Sequence, residues 1–205
     1  MLGVYVAELR DRAVQTDRMR FRRNLERVGE CLAHAIAPTL TYRATEVVTP
    51  LGDAAGVALE QQPVLATIMR AGMPMHQGFL NVFDAADNAF VSAYRKYDDA
   101  GDFEIEVEYM STPDLDGRTV ILIDPMLATG ASIILVLRDL LRFGVPDRIV
   151  VACAIGSREG IEAVRKEAPK GVEIWAAAID QETTAKGYIV PGLGDAGDLA
   201  YGPKR

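Results

Sequence analysis

A strand, a carboxylate, a small-residue loop and a helix follow one another between residues 120 and 143. Residues 120–123 form an aliphatic run typical of a buried parallel strand, Asp124 follows directly, and Ser132 opens a helical apolar pattern. Free N–H groups and the positive dipole end of a helix N-terminus bind phosphate. The sequence therefore predicts a site for a phosphorylated sugar, in which Asp124 accepts hydrogen bonds from ribose hydroxyls.

The phosphate loop, defined here as residues 124–132, contains residue types that suit this chemistry. Thr129 and Ser132 offer hydroxyl donors, and Gly130 allows close approach of the backbone. A triphosphate loop would need the pattern G-x-x-x-x-G-K-[ST], and this loop has no lysine. An ordinary turn between strand and helix, which binds nothing, stays open on shape alone.

A second glycine-rich segment, the base loop, occupies residues 187–199. Gly192, Gly194 and Gly197 match the G-x-G-x-x-G pattern of dinucleotide oxidoreductases. Only eight residues follow Gly197, which predicts room for neither the helix nor the second strand of that fold. A loose tail is the other alternative, but four apolar residues can pack: Ile189, Val190, Pro191 and Leu193. We expect a tight loop whose main-chain groups present a donor–acceptor–donor series, the complement of one edge of uracil.

The string Asp-Pro-Met-Leu-Ala-Thr-Gly at 124–130 closely resembles the phosphoribosyl diphosphate (PRPP) signature of uracil phosphoribosyltransferases, and the base loop resembles their uracil-binding segment. The resemblance runs from about residue 64 onwards; residues 1–60 match loosely, through a helix with Thr16, Phe21 and Arg22. It implies a cytoplasmic pentosyltransferase of pyrimidine salvage that converts uracil and PRPP to UMP and diphosphate. It further implies Mg²⁺ bound with PRPP, without a direct protein ligand, and a homodimer or a higher homo-oligomer.

The resemblance also assigns individual residues. The PRPP-binding positions are Arg70, Arg95, Asp124, Pro125, Met126, Leu127, Ala128, Thr129, Gly130, Ala131, Ser132 and Asp195. The uracil-binding positions, which act through their main chain, are Ile189, Gly194, Asp195 and Ala196. Asp195 is in addition the candidate catalytic residue, because it could orient the base or help to remove the N1 proton. Ala131 stands where the family usually has a second glycine, which predicts a slightly tighter loop and a negative φ at this residue.

Charged residues directly follow several predicted strands. Arg70 follows strand 64–69, Arg95 follows strand 89–94, and Asp124 follows strand 120–123. Ligands of open α/β sheets bind at the carboxyl ends of the strands, and a guanidinium suits a diphosphate better than an ammonium. Asp180, after strand 173–179, lies on the same predicted edge, where we expect it at most to hold a loop in place.

Alternating apolar strands and amphipathic helices predict an α/β fold, an open parallel sheet with helices on both faces as in type I phosphoribosyltransferases. Further strands are predicted at 149–155, and further helices at 17–36, 75–83, 132–143 and 158–167. An antiparallel hairpin arm is predicted at about 95–113, where apolar residues alternate with charges; in the family such an arm reaches a second subunit. Residues 50–63 are predicted to be a connection. We expect one domain over 1–205, with a helical region at 1–40.

Composition and charge narrow the functional classes. The 205 residues are 49% hydrophobic and 25% charged, as in ordinary globular proteins, and no apolar run reaches membrane-spanning length. The charged N-terminus does not resemble a signal peptide, and two cysteines predict reduced thiols in the cytoplasm. A net charge of −7 makes a nucleic-acid partner unlikely. Five arginines on helix 17–36 nevertheless keep a nucleotide- or RNA-binding regulator as the alternative: Arg18, Arg20, Arg22, Arg23 and Arg27.

Overall fold

Two helices open the chain in the computed structural model, which describes residues 1–97 and 103–203. Helix α1 spans Leu2–Arg10 and helix α2 spans Arg18–Ile36. Helix α2 confirms the helix predicted at 17–36. Asp17 caps α2 by accepting a hydrogen bond from the backbone N–H of Arg20. Five apolar residues at helical spacing form the buried face of α2: Phe21, Leu25, Val28, Leu32 and Ile36.

An antiparallel hairpin follows, and the sequence interpretation missed it. Strand β1 spans Tyr42–Thr49 and β2 spans Gly52–Leu59, so the predicted connection at 50–63 is wrong for most of its length. The two strands pair with each other as a separate two-stranded sheet and are largely exposed on both faces. Small residues and the absence of a buried face removed the apolar alternation that would have predicted strands.

The main sheet has seven strands in the order β5-β4-β3-β6-β8-β7, with β9 paired to the other side of β8. Their bounds are Val64–Met69 (β3), Asp87–Tyr97 (β4), Phe103–Ser111 (β5), Thr119–Ile123 (β6), Met126–Leu127 (β7), Arg148–Ser157 (β8) and Glu173–Asp180 (β9). All pairs are parallel except β4 with β5. The predicted open parallel sheet is thus confirmed.

Helices cover both faces of this sheet. One face is covered by α2 and α3 (Gly72–Leu80), and the other by α4 (Ala131–Leu140) and α5 (Arg158–Glu167). Successive residues of a strand point to opposite faces. Leu65, Ile121 and Val150 pack against α2 and α3, whereas their sequence neighbours pack against α4 and α5. The bounds of two predicted helices shift. Helix α3 begins at residue 72 rather than 75, since Pro74 is tolerated in a first turn, and it ends at residue 80 rather than 83. Helix α4 ends at Leu140, and residues 141–143 form a 3₁₀ turn.

The predicted arm is an antiparallel pair, but its first strand does not end at residue 94. Strand β4 continues to Tyr97 and pairs with β5 along residues 103–111, with an irregularity at Ser92 and Ala93. Its parallel pairing with β3 ends at Ser92, so the hairpin extends past the carboxyl edge of the sheet. Residues 98–102, in the middle of the predicted arm, lie outside the described residues.

The C-terminal region folds back over the same edge. Strands β10 (Glu182–Thr183) and β11 (Ile189–Val190) form a short antiparallel pair, and helix α6 spans Ala196–Tyr201. The expectation that no helix fits after the glycine motif is wrong, because six residues suffice for α6. No second parallel strand follows it within the part described, so the dinucleotide pattern remains incomplete. No helix among the described residues has the length and apolarity to cross a membrane.

Candidate active site

A cavity of about 170 Å³ lies at the carboxyl edge of the sheet, between the phosphate loop and the base loop. It brings together eleven residues that the sequence analysis assigned to the site: Asp124, Met126, Leu127, Ala128, Thr129, Gly130, Ser132, Ile189, Gly194, Asp195 and Ala196. The two segments that were expected to bind a sugar phosphate and a flat base therefore face the same space. A single small molecule bound there would contact both.

Asp124 stands where β6 ends. Its backbone N–H donates to the carbonyl of Ala152, and its Oδ1 lies 3.4 Å from the N–H of Met126. Burial raises the pKa of this carboxyl to about 7, although the Met126 N–H acts in the opposite direction. A carboxyl poised near neutrality at the end of a strand can accept hydrogen bonds from hydroxyl groups of a ligand.

The phosphate loop is shaped by glycines on two elements. Gly130 has a φ of +81° and precedes α4 directly, and a Cβ on it would lie 2.9 Å from the carbonyl oxygen of Gly160. Ser157 caps α5: its hydroxyl accepts from the Gly160 N–H and donates to the carbonyl of Ala128. The carbonyl side of the loop thus packs on α5. The Ala131 N–H donates to Thr129 Oγ1 at 3.5 Å, whereas the N–H groups of Ser132 and Ile133 have no partner within the helix and are available to an anion.

The base loop turns sharply at glycines. Gly192 has a φ of +57° and a Cβ there would lie 2.1 Å from the Ile189 carbonyl oxygen, so only glycine fits; Gly194 has a φ of +96°. Ile189 is buried, whereas Asp195 is exposed and caps α6 by accepting from the Asp198 N–H at 2.9 Å. The backbone of the loop lines the cavity, as expected for recognition through main-chain groups.

Comparison with known proteins bears on this arrangement. The family model described as uracil phosphoribosyltransferase matches residues 2–203. The chain belongs to the uracil phosphoribosyltransferase family. It is 50% identical to the uracil phosphoribosyltransferase of Porphyromonas gingivalis over 204 residues, which cover 100% of this chain and 94% of that protein. The family match begins at residue 2, so it extends over the N-terminal region as well as over the stretch from about residue 64 onwards.

Solved structures agree on the fold. The AQ2163 protein from Aquifex aeolicus superposes with a TM-score of 0.86 at 29% identity, covering 98% of this chain and 94% of that one. A hypoxanthine phosphoribosyltransferase from Staphylococcus aureus superposes with a TM-score of 0.51 at 8% identity, covering 79% and 76%, which shows the fold alone. The predicted type I phosphoribosyltransferase architecture is confirmed.

Four residues that the sequence analysis assigned to PRPP are absent from the described lining of the cavity. Pro125 is buried and its carbonyl accepts from the N–H groups of Ala154 and Ile155, so it faces β8. Ala131 is the first residue of α4 and has the negative φ predicted for it. Arg95 lies within β4 rather than after it, and its side chain is outside the described part of the structure.

Arg70, the fourth, follows β3 but points to the end of α6. Its Nη2 lies 3.0 Å from Asp198 Oδ1, and its Nη1 donates to the Gly202 carbonyl at 3.1 Å. Its Nε is buried and has no hydrogen-bond partner among the described residues. An orphan donor of this kind is costly, and an anion at the edge of the cavity would satisfy it.

Five further residues line the cavity that sequence reasoning did not assign: Ala71, Ile133, Gly187, Tyr188 and Gly197. Three of them lie inside the base loop: Gly187, Tyr188 and Gly197. The sequence analysis therefore located the loop correctly but did not assign these residues to the site. Ala71 and Ile133 adjoin Arg70 and Ser132. Their small or apolar side chains carry no chemical signal, and only the folded backbone places them here.

Asp180 holds the base loop in place, which is the role that the sequence analysis expected of it. Its carboxylate receives two hydrogen bonds from Arg10 at 2.8 and 2.9 Å and one from the Gly192 N–H at 2.9 Å. Burial on its own raises the pKa of Asp180, but these donors outweigh it and keep the pKa below its usual value. The residue therefore remains an anion that fixes Gly192.

Four of the five arginines of helix α2 contact other residues of the chain, so they are not free to bind RNA. Arg20 forms a bidentate pair with Glu8, with both distances 2.8 Å, and Arg23 pairs with Glu26. Arg22 donates to the Ala200 carbonyl at 2.7 Å, and Arg27 lies over the ring of Tyr5. A nucleic-acid surface needs unpaired cations on one face. The regulator alternative is not favoured.

The contact between the phosphate loop and α5 gives a first testable prediction. A Cβ on Gly160 would lie 2.1 Å from the Ala128 carbonyl oxygen, so Gly160→Ala forces the phosphate loop away from α5. We expect a stability loss of about 1–3 kcal/mol, or roughly 2–12 °C in Tm, and weaker PRPP binding. Thermal denaturation and PRPP titration measure the two effects. The control is Gly3→Ala, also in a helix, where a Cβ meets nothing within 4 Å, so the variant adds the methyl group without the clash.

Proposed function

We propose that this chain transfers the phosphoribosyl group of PRPP to N1 of uracil, giving UMP and diphosphate. The observation that carries the proposal is the shared cavity: the phosphate loop and the main chain of the base loop line one space. Membership of the uracil phosphoribosyltransferase family supports the same reaction. The product UMP would place its phosphate at α4, its ribose at Asp124 and its base at the base loop.

In the proposed reaction a bond forms between uracil N1 and C1′ of the ribose, and the bond from C1′ to the diphosphate oxygen breaks. The N1 proton is released and the diphosphate leaves with the bonding electrons. The chain supplies positioning and charge stabilisation. Asp124 holds the ribose hydroxyls, Arg70 and Arg95 stabilise the diphosphate, and Asp195 orients the base or accepts the N1 proton.

We propose Mg²⁺ as the cofactor, bound together with PRPP. Asp124 and Asp195 line the cavity and would place negative charge near the ion, which would take its oxygen ligands from PRPP and water rather than from the protein. No group of three His, Cys, Asp or Glu side chains among the described residues could hold an ion alone. The ion would therefore arrive on the oxygens of PRPP, where it neutralises the charge of the leaving diphosphate.

One experiment tests the proposed function directly. Purified protein is incubated with PRPP, Mg²⁺ and each free base in turn, and mononucleotides are separated by chromatography. We expect UMP with uracil and no product when the metal is chelated. Formation of a purine mononucleotide, or no product with any base, would reject the proposal.

We also propose that the protein works in the cytoplasm. The support is that its two cysteines, Cys31 and Cys153, form no disulfide.

We further propose a homodimer, with the hairpin 42–59 as the arm that reaches the partner. Tyr42, Val48 and Val57 lie on one face of this hairpin, together with the carboxylates Glu46 and Asp53, because cross-strand partners share a face. The three large apolar side chains are 44%, 84% and 74% exposed. Such a face on a two-stranded sheet is unstable alone in water. This hairpin is more apolar than the arm expected at 95–113.

The proposed arm gives a second prediction. We expect light scattering to report at least a dimer for the wild type, and a shift toward monomer for the double variant Val48→Asp/Val57→Asp, because charges on the apolar face oppose its burial. Val145→Asp is the matched control, since Val145 is 73% exposed at a different site. A wild-type monomer at micromolar concentration, or an unchanged dimer in the double variant, would contradict the assignment.

A further inference from the structure

Three side chains from the N-terminal region and from β9 hold the backbone of the base loop without lining the cavity. Asp180 accepts from the Gly192 N–H, Arg10 donates both to Asp180 and, at 3.2 Å, to the Gly192 carbonyl, and Gln15 donates to the Leu193 carbonyl at 3.2 Å. Gly192 and Leu193 lie between Ile189 and Gly194, which do line the cavity. The supporting contacts thus fall on the two residues that connect the base-facing positions.

These contacts are strong ones. The Arg10 guanidinium and the Asp180 carboxylate form a bidentate pair, and Asp180 is only 8% exposed. Gln15 also donates to the Leu9 carbonyl at 2.9 Å, so one amide joins the end of α1 to the base loop. Leu193 is buried in the core beside these groups. Both polar groups of Gly192 and the carbonyl of Leu193 are therefore fixed by side chains.

We propose that Arg10, Gln15 and Asp180 are positioning residues for the base: they set uracil affinity by fixing the main-chain groups of the base loop. The inference rests on the proposed function, since it takes the base loop as the uracil site. The reason is geometric. Backbone donors and acceptors can match the base accurately only if that stretch of backbone is held in place.

The test compares Arg10→Gln with a matched control. Arg10→Gln removes the bidentate pair to Asp180, whereas Arg20→Gln removes the bidentate Arg20–Glu8 pair between α2 and α1, which does not touch the base loop. We expect the KM for uracil to rise roughly 10- to 100-fold in Arg10→Gln, the cost of losing charge-assisted bonds. The KM for PRPP and the kcat at saturating uracil should stay within about threefold of wild type. Arg20→Gln should resemble wild type.

Two more measurements keep the proposal falsifiable. Arg10→Lys keeps the positive charge but cannot donate two parallel hydrogen bonds to Asp180. Its KM for uracil should therefore lie between the values of wild type and Arg10→Gln. Hydrogen–deuterium exchange should show the Gly192 amide exchanging at least about tenfold faster in Arg10→Gln than in Arg20→Gln.

The outcomes separate this inference from the proposed function. If wild type forms UMP while Arg10→Gln keeps its KM for uracil, or raises both KM values in parallel with Arg20→Gln, the positioning role is wrong. If wild type forms no UMP, the proposed function fails. The exchange of Gly192 then still decides whether Arg10 holds the loop.

Discussion

Cytosine is expected to be converted roughly 30-fold to 10⁴-fold less efficiently than uracil. If the main chain of the base loop presents a donor, an acceptor and a donor, uracil satisfies all three, whereas cytosine mismatches at N3 and at its 4-amino group. Each unpaired buried polar group costs about 1–3 kcal/mol, so two cost about 2–6 kcal/mol. Steady-state kcat/KM for both bases under saturating PRPP measures the ratio.

The backbone origin of this preference can be tested at adjacent positions. Gly194 has a φ of +96°, so Gly194→Val adds about 1–3 kcal/mol of backbone strain and should weaken uracil binding by roughly 5- to 150-fold. Leu193 is 4% exposed and turned into the core, so Leu193→Val should lower stability but leave the uracil-to-cytosine ratio intact. Comparable use of both bases, or a Gly194→Val variant with wild-type uracil affinity, would show that the loop does not select the base.

Asp124→Asn is expected to lower kcat/KM for PRPP by roughly 10- to 100-fold, with the KM for uracil nearly unchanged. The substitution keeps the shape but replaces charge-assisted hydrogen bonds to the ribose hydroxyls by neutral ones, which are about half as strong. Asp147→Asn is the control, since Asp147 is an exposed carboxylate before β8, at the amino-terminal edge of the sheet. Unchanged PRPP kinetics in Asp124→Asn would remove this residue from the site.

The same variant carries a pH signature. The folded chain holds the Asp124 proton up to a pKa of about 7, against 3.8 for the ordinary value, so the folded state binds more protons between these values. Stability contributed at this position therefore falls as pH rises from about 4 to 7. The Tm difference between Asp124→Asn and wild type, without ligand, should grow in favour of the variant between pH 5 and pH 8. A constant difference would contradict the raised pKa.

Local patterns were sufficient to predict the part of the site that lies along continuous chain. The strand at 120–123, the carboxylate at 124 and the helix after Gly130 are neighbours in sequence, and the parallel sheet brings their edge to one side. The hairpin 42–59 could not be predicted in this way, because it buries too little of either face to leave an apolar period. The same holds for the supports of the base loop: Arg10 and Asp180 are 170 residues apart, and no local pattern relates them.

The phosphate loop and the base loop differ in how far away in sequence the residues that hold them lie. The phosphate loop is held by β6, β8 and α5, all within residues 119–167, so its supports exist as soon as that stretch has folded. The base loop is held by bonds that span 170, 178 and 182 residues, from Arg10 and Gln15 to Asp180, Leu193 and Gly192. During synthesis the phosphate loop can therefore form before residues 187–199, which make up the base loop, have been added to the chain. In the finished protein we expect the base loop to open first when α1 separates from the rest of the chain, because Arg10 and Gln15 hold it from that end of the sequence.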